Sequence, residues 1–99
     1  MVRHIVAWNC KEGLSEAENK ENALKIKQML EALPQSIPGI IEMKVCINTL
    51  PPSNRPMLLN SLFESEEALA AYQVHPEHQK AAGFIRSVTQ NRIIVDYYV

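Results

Sequence analysis

The feature that most constrains this chain is a strand that is apolar on both faces. In Val2–Trp8 the residues Val2, His4, Val6 and Trp8 point one way and Arg3, Ile5 and Ala7 the other. A strand with two largely apolar faces belongs inside a sheet, covered on both sides. The last segment, Arg92 to Val99, is a strand with one apolar face. Ile93, Val95, Tyr97 and Val99 form one face, and Ile94, Asp96 and Tyr98 the other.

Between these two strands the periodicity alternates. Lys11-Glu12-Gly13 is a turn, and Ser15 with Glu18 three residues on makes a capping box that opens a helix. Ala23, Ile26, Leu30 and Leu33 follow at helical spacing, until Pro34 ends the run. After a Pro38-Gly39 turn, Ile40–Leu50 reads as a strand, with Ile41, Met43, Val45 and Ile47 on its apolar face. Three prolines between Pro51 and Pro56 exclude a continuing strand and leave a hairpin loop. Met57–Glu64 returns as the third strand. Ser65 caps a short helix from Glu66 to about Gln73.

The order is therefore strand, helix, strand, strand, helix, strand. That is an α+β, ferredoxin-like βαββαβ fold: one antiparallel sheet with its two helices on one face. The chain, residues 1–99, is long enough for one domain. Helices on one face leave the other apolar face bare, a hazard for a monomer. The expected remedy is a homodimer in which two sheets pack face to face.

Charge narrows the partners. The formal net charge is −1 and no run of Lys or Arg forms a patch, so neither nucleic acid nor an anionic membrane is expected. The start, MVRHIVAWNC, alternates and is too short an apolar run for a signal peptide; no segment has the length to span a bilayer. Cys10 and Cys46 lack a metal-ligand spacing and read as reduced thiols. A cytoplasmic location is the expectation.

The most distinctive local stretch is AYQVHPEHQ, Ala71–Gln79. The residue before Pro76 is driven from helical geometry, so His75 should break the helix, while Pro76 suits the first position of a new one. Tyr72, His75 and His78 then gather at the break. They serve either to satisfy freed backbone groups or as ligand-binding or acid/base residues. A metal site from His75 and His78 is disfavoured: a third ligand is missing nearby, and the proline prevents the single-helix spacing of HExxH sites. His4 shares its strand face with Trp8, which is expected as core or pocket wall. Asp96 is expected as a structural partner for a backbone group or a histidine.

VRHIVAWNCKEG, LFESEEALAAYQVHPEHQKAAGFI and IIVDYYV together resemble the stress-responsive A/B barrel domain family over nearly the whole chain. The resemblance implies a dimeric α+β barrel. One plant branch of that family consists of polyketide cyclases, which close a poly-β-keto thioester by aldol condensation with neither metal nor organic cofactor. Their acid/base positions match His4, Tyr72 and His78. The resemblance thus implies a homodimer with a small apolar or β-keto ligand between sheet and helices. His4, Tyr72 and His78 are its expected catalytic residues; Trp8 and His75 stand beside them as candidate ligand-binding residues, with His75 read as structural first. A cofactor-free cyclase or isomerase is the enzymatic form of this reading. A cofactor-independent monooxygenase, the chemistry of another branch of dimeric α+β barrels, is the further alternative.

Overall fold

β1 (Val2–Cys10) is a central strand, paired on both sides. In the computed structural model, which describes residues 1–99, the sheet order is β2-β3-β1-β4, where β2 is Ile40–Cys46, β3 is Met57–Phe63 and β4 is Thr89–Tyr98. All three pairings are antiparallel. Val2 lies opposite Phe63 and Tyr98, His4 opposite Ser61 and Asp96, and Val6 opposite Leu59 and Ile94. Because side chains alternate, these rows share one face.

The helices cover that face. α1 (Glu16–Glu31) contributes Ile26 and Leu30, α2 (Glu66–Val74) contributes Leu69 and Tyr72, and α3 (Pro76–Val88) contributes Ala81 and Ile85. They join Val2, Val6, Trp8, Leu59 and Phe63 in one core. Burying a side chain such as Leu30 or Ile26 stabilises the fold by about 1.5–3 kcal/mol. The ferredoxin-like α+β architecture expected from the element order is what forms.

Local chemistry explains where the helices begin and end. Ser15 and Glu18 form the expected capping box around the start of α1. Past Glu31 the chain tightens into a 3₁₀ turn, Leu33–Gln35, so Pro34 sits inside a short turn rather than ending the helix directly. Lys27 and Glu31, one turn apart on α1, reach the edge strand β2. Lys27 Nζ donates to the Val45 carbonyl at 2.8 Å, and Glu31 Oε2 accepts from the Val45 N–H at 2.9 Å. This pair satisfies backbone groups on a sheet edge that would otherwise be free. Burial opposes the charge of Glu31, but the hydrogen bonds from Lys27 and Val45 prevail and hold its carboxyl below the ordinary range.

Two irregularities depart from simple alternation. In β2, Ile40 lies opposite Phe63 and Glu42 opposite Leu62, so Ile41 is the extra residue of a bulge and is exposed. The expected apolar row of Ile41, Met43, Val45 and Ile47 is thereby broken, and the strand ends at Cys46. In β4 the register to β1 shifts between Ala7 and Asn9, where Asn91 adopts a left-handed φ of 54°. β4 also starts earlier than its alternation suggests, at Thr89, directly after α3.

The far face of the sheet carries no helix. Ile5 and Leu58 are half-buried there, and Ile93, Val95, Tyr97 and Val99 are about half exposed or more. No helix is long and apolar enough to cross a membrane.

Gly39 sets the entry to β2. Its φ is +91°, and a Cβ placed on it would lie 2.7 Å from the Ala68 Cβ at the start of α2. Gly13 has the same φ but open space around it. In denaturant unfolding, Gly39→Ala is expected to lose roughly 2–4 kcal/mol, combining left-handed strain with overpacking. Gly13→Ala is expected to lose only about 1–2 kcal/mol, from the strain alone. Equal losses would show that the Ala68 contact is immaterial.

Candidate functional site

The helix break builds the site. His75 is extended, with φ −67° and ψ 136°, and is at once the C-cap of α2 and the N-cap of α3. Pro76 has no N–H for the Tyr72 carbonyl, which instead accepts from the His75 N–H at 3.2 Å. The Glu77 N–H, which an unbroken helix would send to Gln73, goes to His75 Nδ1 at 3.1 Å. The Gln73 carbonyl is thus released. It pairs with His78 Nδ1 at 3.2 Å and accepts from Gln79 Nε2 at 2.7 Å.

These exchanges orient His78. Its Nδ1 donates to a carbonyl, so Nε2 is left as the proton-accepting nitrogen. The ring packs on Tyr72 with centroids 4.2 Å apart. Tyr72 is in turn packed on Phe63 at 4.8 Å, and His4 lies edge-on to it at 6.3 Å. His4 Nδ1 sits 2.5 Å from Asp96 Oδ1, directly across the β1–β4 ladder. The carboxylate accepts from Nδ1–H, which again leaves Nε2 as the acceptor.

His4, Tyr72 and His78 all line one cavity of about 340 Å³ between sheet and helices, together with Trp8. Such a volume is at the lower end for small-molecule sites. Val6, Leu30, Leu59 and Ile85 make its apolar wall. The Tyr72 side chain is 1% exposed, yet its hydroxyl has no protein partner and is not among the fully enclosed polar atoms; it opens on the cavity. Burial pushes the Tyr72 phenol well above its ordinary value, with Arg92 opposing, so it remains a proton donor at neutral pH. Burial likewise lowers His78, the Gln73 carbonyl opposing and the positive charges of Arg92 and Arg86 adding to the effect. His78 is therefore neutral at pH 7.

His75 does not join the cavity wall. Its Nδ1 caps the start of α3, the backbone-satisfying reading that the sequence also offers for it. Asp96 is found on the one histidine its register allows, His4. Sequence reasoning missed Arg86, Gln90, Asn91 and Arg92, which also line the cavity. Alternation along β4 carried no signal for Gln90, Asn91 and Arg92, because the bulge at Asn91 is invisible to a period of two, and Arg86 reads only as the basic residue of a helix's last turn.

The fold recurs in solved structures. A dimeric protein of unknown function and ferredoxin-like fold from Bacteroides fragilis superposes with a TM-score of 0.91 at 28% identity, covering 99% of this chain and 95% of that one. A dimeric ferredoxin-like protein of unknown function from Jannaschia sp. matches with a TM-score of 0.81 at 25% identity, over 99% and 98% of the two chains. A hydroxynitrile lyase from Passiflora edulis shares the fold with a TM-score of 0.76 at 18% identity, covering 99% and 92%. No functionally curated protein matches the chain. The family model of the stress responsive A/B barrel domain matches residues 2–99, and the chain belongs to that family.

Proposed function

We propose that the cavity binds a small, largely apolar β-keto compound and that His4, Tyr72 and His78 carry out cofactor-free acid/base chemistry on it, of the cyclase or isomerase type. The observation that carries this reading is convergence: three proton-handling side chains from three elements line one cavity, two of them with Nδ1 already engaged. A methylene flanked by two carbonyls is acidic enough for a neutral imidazole to deprotonate. In this scheme His78 Nε2 takes the proton and the electron pair moves onto the carbonyl oxygen. The Tyr72 hydroxyl donates a hydrogen bond to the resulting enolate. For ring closure, the enolate carbon attacks a second carbonyl of the same molecule, and the alkoxide formed takes the proton back from His78. His4, oriented by Asp96, is the second base positioned to move a proton on the opposite side. The reduced thiols of Cys10 and Cys46 suit a cytoplasmic location.

The functional unit in this reading is a homodimer joined through the helix-free sheet face. Two observations support it: the apolar row Ile93, Val95, Tyr97 and Val99 lies bare on that face, and the Bacteroides fragilis and Jannaschia relatives are described as dimeric. Sedimentation of the wild type at micromolar concentration should give twice the chain mass, and Val95→Asp should shift it toward the single chain by placing a charge in the interface. A wild-type monomer would remove the dimer from this proposal.

For the chemistry, turnover of β-polyketide thioesters is the readout. His78→Ala should lower it by about 10²–10⁴-fold, the usual contribution of one positioned base. Tyr72→Phe should lower it by about 10²-fold with little change in melting temperature, since the hydroxyl has no partner to lose. Unchanged product profiles in both variants would sink the acid/base reading. Because His78 is lowered from 6.5, its neutral form persists into mildly acid solution. The rate should rise from the acid side with a midpoint below that value and then level off. The same shift means that the stability gained by burying neutral His78 is present above its unfolded pKa, and is lost as the pH falls through the folded one.

A further inference from the structure

Three consecutive residues of a strand cannot normally face the same side, yet Gln90, Asn91 and Arg92 of β4 all line the cavity. The bulge is what turns them together. Asn91 sits at φ 54°, a left-handed conformation uncommon for a residue with a side chain, and the register to β1 shifts there. Arg55 fastens the bulge by donating from Nε to the Asn91 carbonyl at 3.1 Å. Bulges of this kind commonly re-aim side chains beside functional sites.

What the bulge delivers is positive charge. Arg92 comes from β4 and Arg86 from the last turn of α3, and both line the same cavity. No Asp or Glu is among the lining residues, in a chain that has 11 acidic residues against 10 basic ones. The other two arginines are occupied: Arg3 on Glu42 and Asn60, Arg55 on the Asn91 and Asn54 carbonyls. Arg86 and Arg92 have neither a salt bridge nor a hydrogen bond within the protein. The helix dipole accounts for a cation at the end of α3. It does not account for a second one brought to the same opening by a bulge on a different element.

We infer that the ligand is an amphipathic anion: an apolar body lying against Trp8, Leu30 and Leu59, and an oxyanion head group, carboxylate or phosphate, held at the mouth by Arg86 and Arg92 with Asn91 and Gln90 as neutral donors. Guanidinium groups present paired donors to such oxygens, and planar recognition of this kind is where arginine is favoured. This inference rests on the cavity being a ligand site and specifies which molecules it admits. The head group stays at the opening, so its charge keeps part of its hydration, and only the apolar portion enters the dry interior.

Trp8 is the sole tryptophan and lines the cavity, which makes intrinsic fluorescence a direct readout. The probes are octanoate, octyl phosphate and the neutral octanamide, titrated at physiological ionic strength into the wild type, Arg86→Gln, Arg92→Gln and the double variant. Octanoate or octyl phosphate should bind the wild type roughly tenfold more tightly than octanamide, as expected of charge-assisted contacts that stay partly solvated. The better of the two anions identifies the head group. Each single variant should reduce that ratio and the double variant should bring it near one. If octanamide perturbs Trp8 as strongly as both anions, or if the double variant keeps the preference, the anion site is wrong while the cavity remains a ligand site. If no probe perturbs Trp8, the ligand site itself is wrong and the anion site falls with it.

Discussion

The rest of the structure hangs on the double pairing of β1. Held between β3 and β4 by two antiparallel ladders, it fixes which residues face the helices. Val2, His4, Val6 and Trp8 form the floor on which α1, α2 and α3 pack, and the same registers set His4 beside Asp96. A one-residue slip of either neighbour would turn the partner row to the other face and remove both the core contacts and the His4–Asp96 hydrogen bond. Fold and site therefore share a single geometric constraint.

The second determinant is a break rather than a pairing. Pro76 withdraws one N–H from the helical ladder, and the groups left over are redistributed among side chains. His75 takes the Glu77 N–H, while the Gln73 carbonyl binds His78 and Gln79. The result is two short helices meeting at an angle, with Tyr72 on the first and His78 on the second in ring contact. A continuous helix would keep the Gln73 carbonyl within its own ladder and leave His78 without that anchor. Backbone satisfaction and side-chain placement are thus one event here.

Much of this is legible in the residues. The capping box at Ser15, the break at His75 and the inward row of β1 each come from local rules: side-chain capping, the restricted residue before proline, and alternation. Less legible are features in which one local rule is broken. The bulge at Ile41 interrupts an apolar alternation that reads as regular, and the bulge at Asn91 gathers three successive residues on one wall. Asn is tolerant of the left-handed conformation, but many asparagines never adopt it, so its presence alone does not announce a bulge. Of the two readings the sequence leaves open for His75, backbone capping is the one the ring meets, since its Nδ1 accepts from the N–H two residues on.

The sequence by itself determined the order of elements, the side of the sheet that carries helices and the helix break. These depend on short-range periodicity, caps and proline chemistry, which each segment carries within itself. Tertiary structure alone decided that His4 meets Asp96, that His4, Tyr72 and His78 share one cavity, and that Arg86 and Arg92 reach the same opening. Those depend on register across strands distant in sequence, and on how much space the packed side chains leave between sheet and helices. Neither quantity is written in any one segment, because each is a relation between several of them.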